Sequence, residues 1–159
     1  MTSCRLCVGL IRAFHDRWIE AIPPPGKPRR IIASSSPCQF GFTEAIWAAT
    51  VLGRVRALAH ITGGGLPGNL NRALPSTLDA EVDTASWEIP NAFRVLEAAG
   101  GVARDEMFRA FNMGVGMVVV ADPADVSSVM QSAADAGVRA WRLGHVAPGT
   151  GQVQLRSAR

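Results

Sequence analysis

The chain has 159 residues, 48% hydrophobic and 18% charged, with a net charge of +3 at neutral pH. That length suits one domain of ordinary size with an appended segment, and the apolar fraction is enough for a core. No run reaches the roughly 18 apolar residues of a membrane helix, and Arg12 breaks the apolar run near the start with no small-residue cleavage site after it, so a cytoplasmic protein with no membrane partner is expected.

The charge is uneven. Residues 1–50 hold six basic and three acidic groups and the remainder ten of each, so the excess lies in the first segment. A neutral domain without interleaved basic and aromatic groups reads nucleic acid poorly, and no nucleic-acid partner is expected. In that first segment Cys4 and Cys7 have the C-x-x-C spacing of a redox pair or half a zinc site, which His15 and Cys38 could complete. The spacing of the second pair fits no familiar zinc module. Unrelated reduced thiols are the better reading, and no metal site is expected. Pro23 to Pro37, PPPGKPRRIIASSSP, is dominated by proline, glycine and serine and leaves no room for a helix or a paired central strand. It reads as a linker, with Lys27 to Arg30 a solvated charge run. Thr43 to Leu52 has the pattern of a helix capped by Thr43, with Ala45, Ile46, Ala49 and Leu52 on one side. Residues 1–50 are thus an atypical, partly disordered segment, and 51–159 the domain proper.

Val55 to Thr62 is an apolar run short enough for a buried strand. Gly63, Gly64 and Gly65 interrupt it, and three glycines in a loop usually serve positive φ or close backbone approach. Asn69 to Leu74, NLNRAL, continues as one or two helical turns with Asn69 near the N-cap. A glycine bend opening onto a helix aims backbone N–H groups at one point, where an anion is held favourably. Neither GxGxxG nor GxxxxGK[ST] is present. His60 and Thr62 share one face of the strand by alternation, so His60 is either a satisfied core histidine or a polar contact at the bend.

Leu78 to Val82 alternates apolar and acidic residues, as a strand with one wet face does, and Asp83 and Thr84 offer caps. Pro90 suits a helix start, Ala92, Phe93, Leu96 and Ala99 repeat at helical spacing, and Gly100 and Gly101 end that helix. Arg104 to Phe111 predicts a second helix with Met107, Phe108 and Phe111 in the core. In FNMGVGMVVV, Phe111 to Val120, the valines predict a central strand, and Gly114 and Gly116 alternate onto one face where a backbone or a ligand can approach. Ala121 to Gly137 predicts a helix with Asp122 as cap, Pro123 in the first position, a stripe of Val126, Val129, Met130 and Ala133, and Gly137 closing it. Ala140 to Val146 follows as a strand with His145 at its surface. A crossover would be needed if this strand were a parallel neighbour of the central one. Gly149 to Gly151 gives a turn and Val153 to Leu155 a last strand. The sum is a single α/β (α+β) domain: a mixed sheet of four to six strands with helices packed on one side.

The stretches AHITGGGLPGN, NLNRALP, SWEIPNAFRVLEAAGGV and FNMGVGMVVV, in this order, closely resemble the C-terminal half of aminoimidazole ribonucleotide synthetase, also called phosphoribosylformylglycinamidine cyclo-ligase. The likeness runs from about Gly53 to about Val146. It implies an ATP-dependent enzyme that phosphorylates the formyl amide oxygen of formylglycinamidine ribonucleotide and closes the imidazole ring in purine biosynthesis, with Mg²⁺ managing the triphosphate. Carried over by position, His60 becomes the catalytic polar group with Thr62 beside it, and Gly63, Gly64 and Gly65 an anion cradle. Asn69 and Asn112 would bind substrate or cap the loop, and Gly114 and Gly116 would line the cleft. Family members resembling this chain form homodimers and carry an N-terminal ATP-binding domain. Gln39 to Leu52 does not resemble their corresponding segment. The resemblance therefore implies a truncated member, inactive alone. Its rivals are a non-catalytic module that docks on a full-length synthetase, and a related enzyme using ATP on selenide, a thiamine phosphate or a carbamoyl group in hydrogenase maturation.

Overall fold

The computed structural model describes residues 29–34 and 54–157. In chain order these form β1 (Arg29–Ser34), β2 (Val55–His60), α1 (Gly65–Ala73), β3 (Leu78–Asp83), α2 (Asn91–Gly100), α3 (Arg104–Ala110), β4 (Met117–Ala121), α4 (Val126–Asp135), β5 (Ala140–Pro148) and β6 (Val153–Arg156). The expected cysteine pair, His15, Cys38 and the helix from Thr43 to Leu52 lie outside the described residues.

All six strands join one mixed sheet in the order β2-β4-β1-β5-β3-β6. Every neighbouring pair is antiparallel except β3 with β6. The linker reading of Pro23 to Pro37 is corrected by β1, which lies within it and pairs on both edges. Arg30 faces Ala121 of β4 on one side and His145 of β5 on the other. The prolines that suggested a linker flank these six residues rather than interrupt them, and of the serines only Ser34 lies within the strand, at its end. β4 and β5 are accordingly not neighbours: β1 runs antiparallel between them, and α4 spans the gap.

Alternation along β4 divides the core. Val118 and Val120 face one cluster with Leu66 and Leu70 of α1, Met107 and Phe108 of α3, and Leu143 and Val146 of β5. Val119 and Ala121 face a second with Ile32, Val126 and Val129. Hence α1 and α3 cover one face of the sheet and α4 the other: the mixed sheet is as expected, but its helices are not confined to one side, because alternation makes both faces of β4 apolar. Strands paired on both edges and covered on both faces read as continuous apolar runs, which is what MVVVA is. Each fully buried Leu or Val here contributes about 1.5–3 kcal/mol.

Local signals fare variously. β3 shows the expected alternation of buried and half-buried residues. In α4 the stripe of Val126, Val129 and Ala133 is buried as expected, and Gly137, at φ 70°, closes the helix with Val138 N–H donating to the Ala133 carbonyl at 2.8 Å. Its start is a correction. Asp122 to Asp125 form a turn and the helix begins at Val126, while Asp122 Oδ2 accepts from Nε and Nη2 of Arg56 at 2.9 and 2.6 Å. Asp83 likewise caps a turn, accepting the Ala85 N–H at 2.9 Å. The apolar spacing in α2 is real, yet none of its residues is buried. Val95 is 57% and Leu96 49% exposed, and Phe111, expected in the core, is 36% exposed with its ring against Phe93. Periodicity marks a face; it does not say what covers it.

Asp79 organises the turn between β5 and β6. Its Oδ1 accepts the N–H groups of Thr150 and Gln152, both at 2.8 Å. These bonds, that from Gln152 foremost, hold the carboxyl below its ordinary value of 3.8. A depressed carboxyl stabilises the fold above its unfolded value, and that contribution is lost as pH falls through the folded one. Thermal melting of wild type against Asp79→Asn from neutral pH to below 3.8 should therefore show the wild type losing stability faster on acidification. Parallel curves would contradict this.

Candidate functional site

The bend at Gly63–Gly65 is placed by two neighbours. β2 pairs with β4 up to His60 opposite Met117, and Ile61 N–H continues the ladder to the Gly116 carbonyl at 3.0 Å. The glycine bend and the Asn112–Gly116 loop are therefore held side by side at one end of the sheet. After the bend, Leu66 and Leu70 anchor α1 in the core, both fully buried.

Within the bend the three glycines differ. Gly63 and Gly64 are exposed and Gly65 is buried. Gly64 and Gly65 have positive φ, 95° and 59°. A Cβ on Gly65 would meet the Phe108 carbonyl, whereas one on Gly63 would meet nothing within 4 Å. Gly65 N–H donates to the Thr62 carbonyl at 3.0 Å and Gly68 N–H to that of Gly64 at 3.1 Å, while Pro67 brings no N–H. Among the described residues no acceptor meets the N–H of Gly63 or Gly64. The bend is open, with two peptide donors facing outward at a helix start, an arrangement that favours an anion.

Asn69 is not an N-cap: α1 starts at Gly65 and Asn69 lies inside it. Its buried amide reaches back and donates to the carbonyls of Gly65 at 2.7 Å, Thr62 at 3.3 Å and Gly63 at 3.4 Å. Arg72 Nη2 donates to its Oδ1 at 2.6 Å. This pair was missed in the sequence, although Asn-x-x-Arg just after a glycine bend is the spacing that lets an amide reach back and a guanidinium lie over it.

The second loop is a tight turn. Asn112 Oδ1 accepts the Gly114 N–H at 3.0 Å and its carbonyl accepts Val115 N–H at 2.9 Å, so this side chain caps its own loop. Gly114, at φ 93°, precedes β4 and backs onto the Pro90 ring. It does not alternate with Gly116 along a strand, and the close approach expected there is made by protein. Buried Met113 also has positive φ, 52°, and its carbonyl accepts the Trp87 indole N–H at 2.9 Å.

His60 is half-buried and Thr62 exposed, on the sheet face opposite Ala59 and Ile61. A cleft of about 450 Å³ opens beside the bend, between Gly64, Pro67, Gly68, Arg109 and the turn at Gly151–Val153. Of the expected site residues it includes Gly64 alone, so the structure joins the two loops but does not gather His60, Asn112 and the cleft into one pocket. Among the described residues no three His, Cys, Asp or Glu side chains converge to hold a metal ion, and no helix is long and apolar enough to cross a membrane.

Comparison with known proteins bears on this arrangement. Residues 41–156 match the family model described as AIR synthase related protein, C-terminal domain. The chain is 43% identical over 105 residues to the phosphoribosylformylglycinamidine cyclo-ligase of Anaeromyxobacter sp., covering 66% of this chain and 30% of that protein. It is 45% identical over 100 residues to that of Nitrosococcus oceani, covering 63% and 28%. The chain thus spans about three tenths of the length of the curated relatives it matches. Among solved structures, PurLQS from Thermotoga maritima has a TM-score of 0.62 at 14% identity, covering 86% of this chain and 24% of that one. Thiamine-monophosphate kinase from Stenotrophomonas maltophilia has 0.53 at 17% identity, covering 81% and 50%. These two likenesses show the fold, and the matches in sequence carry the kinship: this chain belongs to the family of AIR synthase related proteins, as their C-terminal domain.

Proposed function

We propose that this chain is the C-terminal domain of a cytoplasmic phosphoribosylformylglycinamidine cyclo-ligase, working in ATP-dependent closure of an imidazole ring. The observation that carries the reading is the open glycine bend, whose Gly63 and Gly64 N–H groups lack a protein acceptor among the described residues. Such donors suit the phosphate of formylglycinamidine ribonucleotide. Gly65 shapes the cradle, Asn69 and Asn112 set the two loops, Gly114 gives room to the Pro90 ring, and Gly116 ties the second loop to the first through Ile61. His60, the last residue of β2, and Thr62, directly before the bend, are the polar side chains nearest ahead of it in sequence, and His60 is the candidate catalytic group. ATP supplies the phosphoryl group that activates the amide oxygen, and Mg²⁺ accompanies the triphosphate. With no ligand cluster for a metal among the described residues, no step is assigned to Mg²⁺ on this chain.

About seven tenths of each longer relative lies outside the match, and a homodimer built with that remainder is part of the reading. The chain alone should not turn over. Incubated with ATP, Mg²⁺ and formylglycinamidine ribonucleotide, the purified 159-residue protein is expected to form no aminoimidazole ribonucleotide, and measurable product would refute the dependence on a companion domain. A second reading, a non-catalytic module that docks on an intact synthetase, is favoured by the exposed Val95 and Leu96 of α2. Adding the chain to an intact cyclo-ligase in the same assay, and recovering the two together with no gain in product, would select it.

A further inference from the structure

Asn69 is the buried polar side chain of the core among the described residues, 7% exposed. A trans peptide directs its C=O and N–H in opposite senses, and the described backbone has no cis bond. Drawing the Thr62 carbonyl inward therefore turns the Gly63 N–H outward, and drawing in that of Gly63 does the same for Gly64. Asn69 Nδ2 makes both contacts, at 3.3 and 3.4 Å, while its bond to Gly65 at 2.7 Å anchors it. These two N–H groups are the exposed donors of the bend that meet no acceptor among the described residues.

An Asn amide can present oxygen or nitrogen to a neighbour, whereas a guanidinium only donates. With Arg72 Nη2 at 2.6 Å from Oδ1, the Asn69 oxygen is engaged by Arg72 and the nitrogen is left facing the loop carbonyls. We infer that Arg72 is a positioning residue for the glycine bend: by fixing which way the Asn69 amide points, it turns the Gly63 and Gly64 N–H groups toward an anion of the phosphate class. This rests on the anion-cradle reading above. Arg72 also borders the bend, with Nη2 3.8 Å from where a Cβ on Gly64 would lie, so its charge and its hold on Asn69 must be told apart by experiment.

The test uses the ¹⁵N-labelled chain, inorganic phosphate as probe, and amide resonances of Gly63 and Gly64 as readout. Arg72→Ala should move both resonances while the rest of the spectrum stays, and weaken phosphate binding about tenfold, the loss of one bond to a charged donor. Arg72→Gln, a neutral donor able to face Oδ1, should restore both. The inference is overturned when Arg72→Ala leaves the two resonances in place, or when Arg72→Lys rescues binding and Arg72→Gln does not, since charge alone would then account for the effect. Absence of phosphate binding in the wild type removes the cradle reading by itself. The role of Arg72 is then decided by whether the glycine resonances follow Arg72→Ala and return with Arg72→Gln.

Discussion

Gly65→Ala is expected to destabilise the domain by about 3 kcal/mol, the sum of a left-handed backbone forced on alanine and an over-packed contact. The residue sits at φ 59°, and a Cβ would meet the carbonyl of Phe108. Neither can relax alone, because the helix bearing Gly65 is pinned by Leu66 and Leu70, and the carbonyl belongs to α3, pinned by Met107. The midpoint of thermal unfolding by circular dichroism should fall by about 10 °C, at the few degrees per kcal/mol typical of this size. Gly63→Ala is the control. It has open space around it and should stay within about 0.5 kcal/mol of wild type. Equal losses in the two variants would mean that the bend responds alike at both positions and that Gly65 has no special place.

Trp87→Ala should cost about 3–5 kcal/mol, as removal of a buried aromatic does. Its ring meets Phe108 edge-on at 6.3 Å and Trp141 at 6.5 Å between centroids. Its indole N–H bonds to the carbonyl of Met113, a buried residue held at positive φ. Left-handed conformation in a non-glycine residue costs about 1–3 kcal/mol and persists where surroundings enforce it. Trp87→Phe keeps most of the ring and removes the donor, with an expected loss of about 1–2 kcal/mol. Urea unfolding reads both variants. Resonances of the Asn112–Gly116 loop should shift in each, and a silent loop would show that Trp87 contributes volume but does not hold the turn.

What the sequence announced was mostly local. The glycine bend, the alternation in β3 and the stripe of α4 each declare themselves within a dozen residues, since periodicity and turn chemistry are properties of adjacent positions. The failures are non-local. RRIIAS has too few residues to outweigh the prolines and serines around it, and its partners in β4 and β5 stand far along the chain. α2 carries a regular apolar spacing with no buried residue, because cover is supplied by another surface and not by the helix itself. Asp122 has every mark of a helix cap, yet the helix starts four residues later and Asp122 is ion-paired with Arg56 of β2, a partner far off in sequence. In the site, the glycines were legible while the pair beneath them was not: Asn69 and Arg72 look like ordinary residues of an exposed helix until the bend folds back over them.

The position of β1 bears on how the molecule comes to be made. Its six residues emerge from the ribosome first among the described strands, and both edges they occupy belong to later strands: β4 follows β2 and β3, and β5 follows every described strand but β6. Until β4 and β5 have emerged, β1 and β2 have none of the partners they hold in the sheet, so the nascent protein carries unpaired strand edges, a state open to aggregation. Assembly should be slow and governed by that last long-range closure.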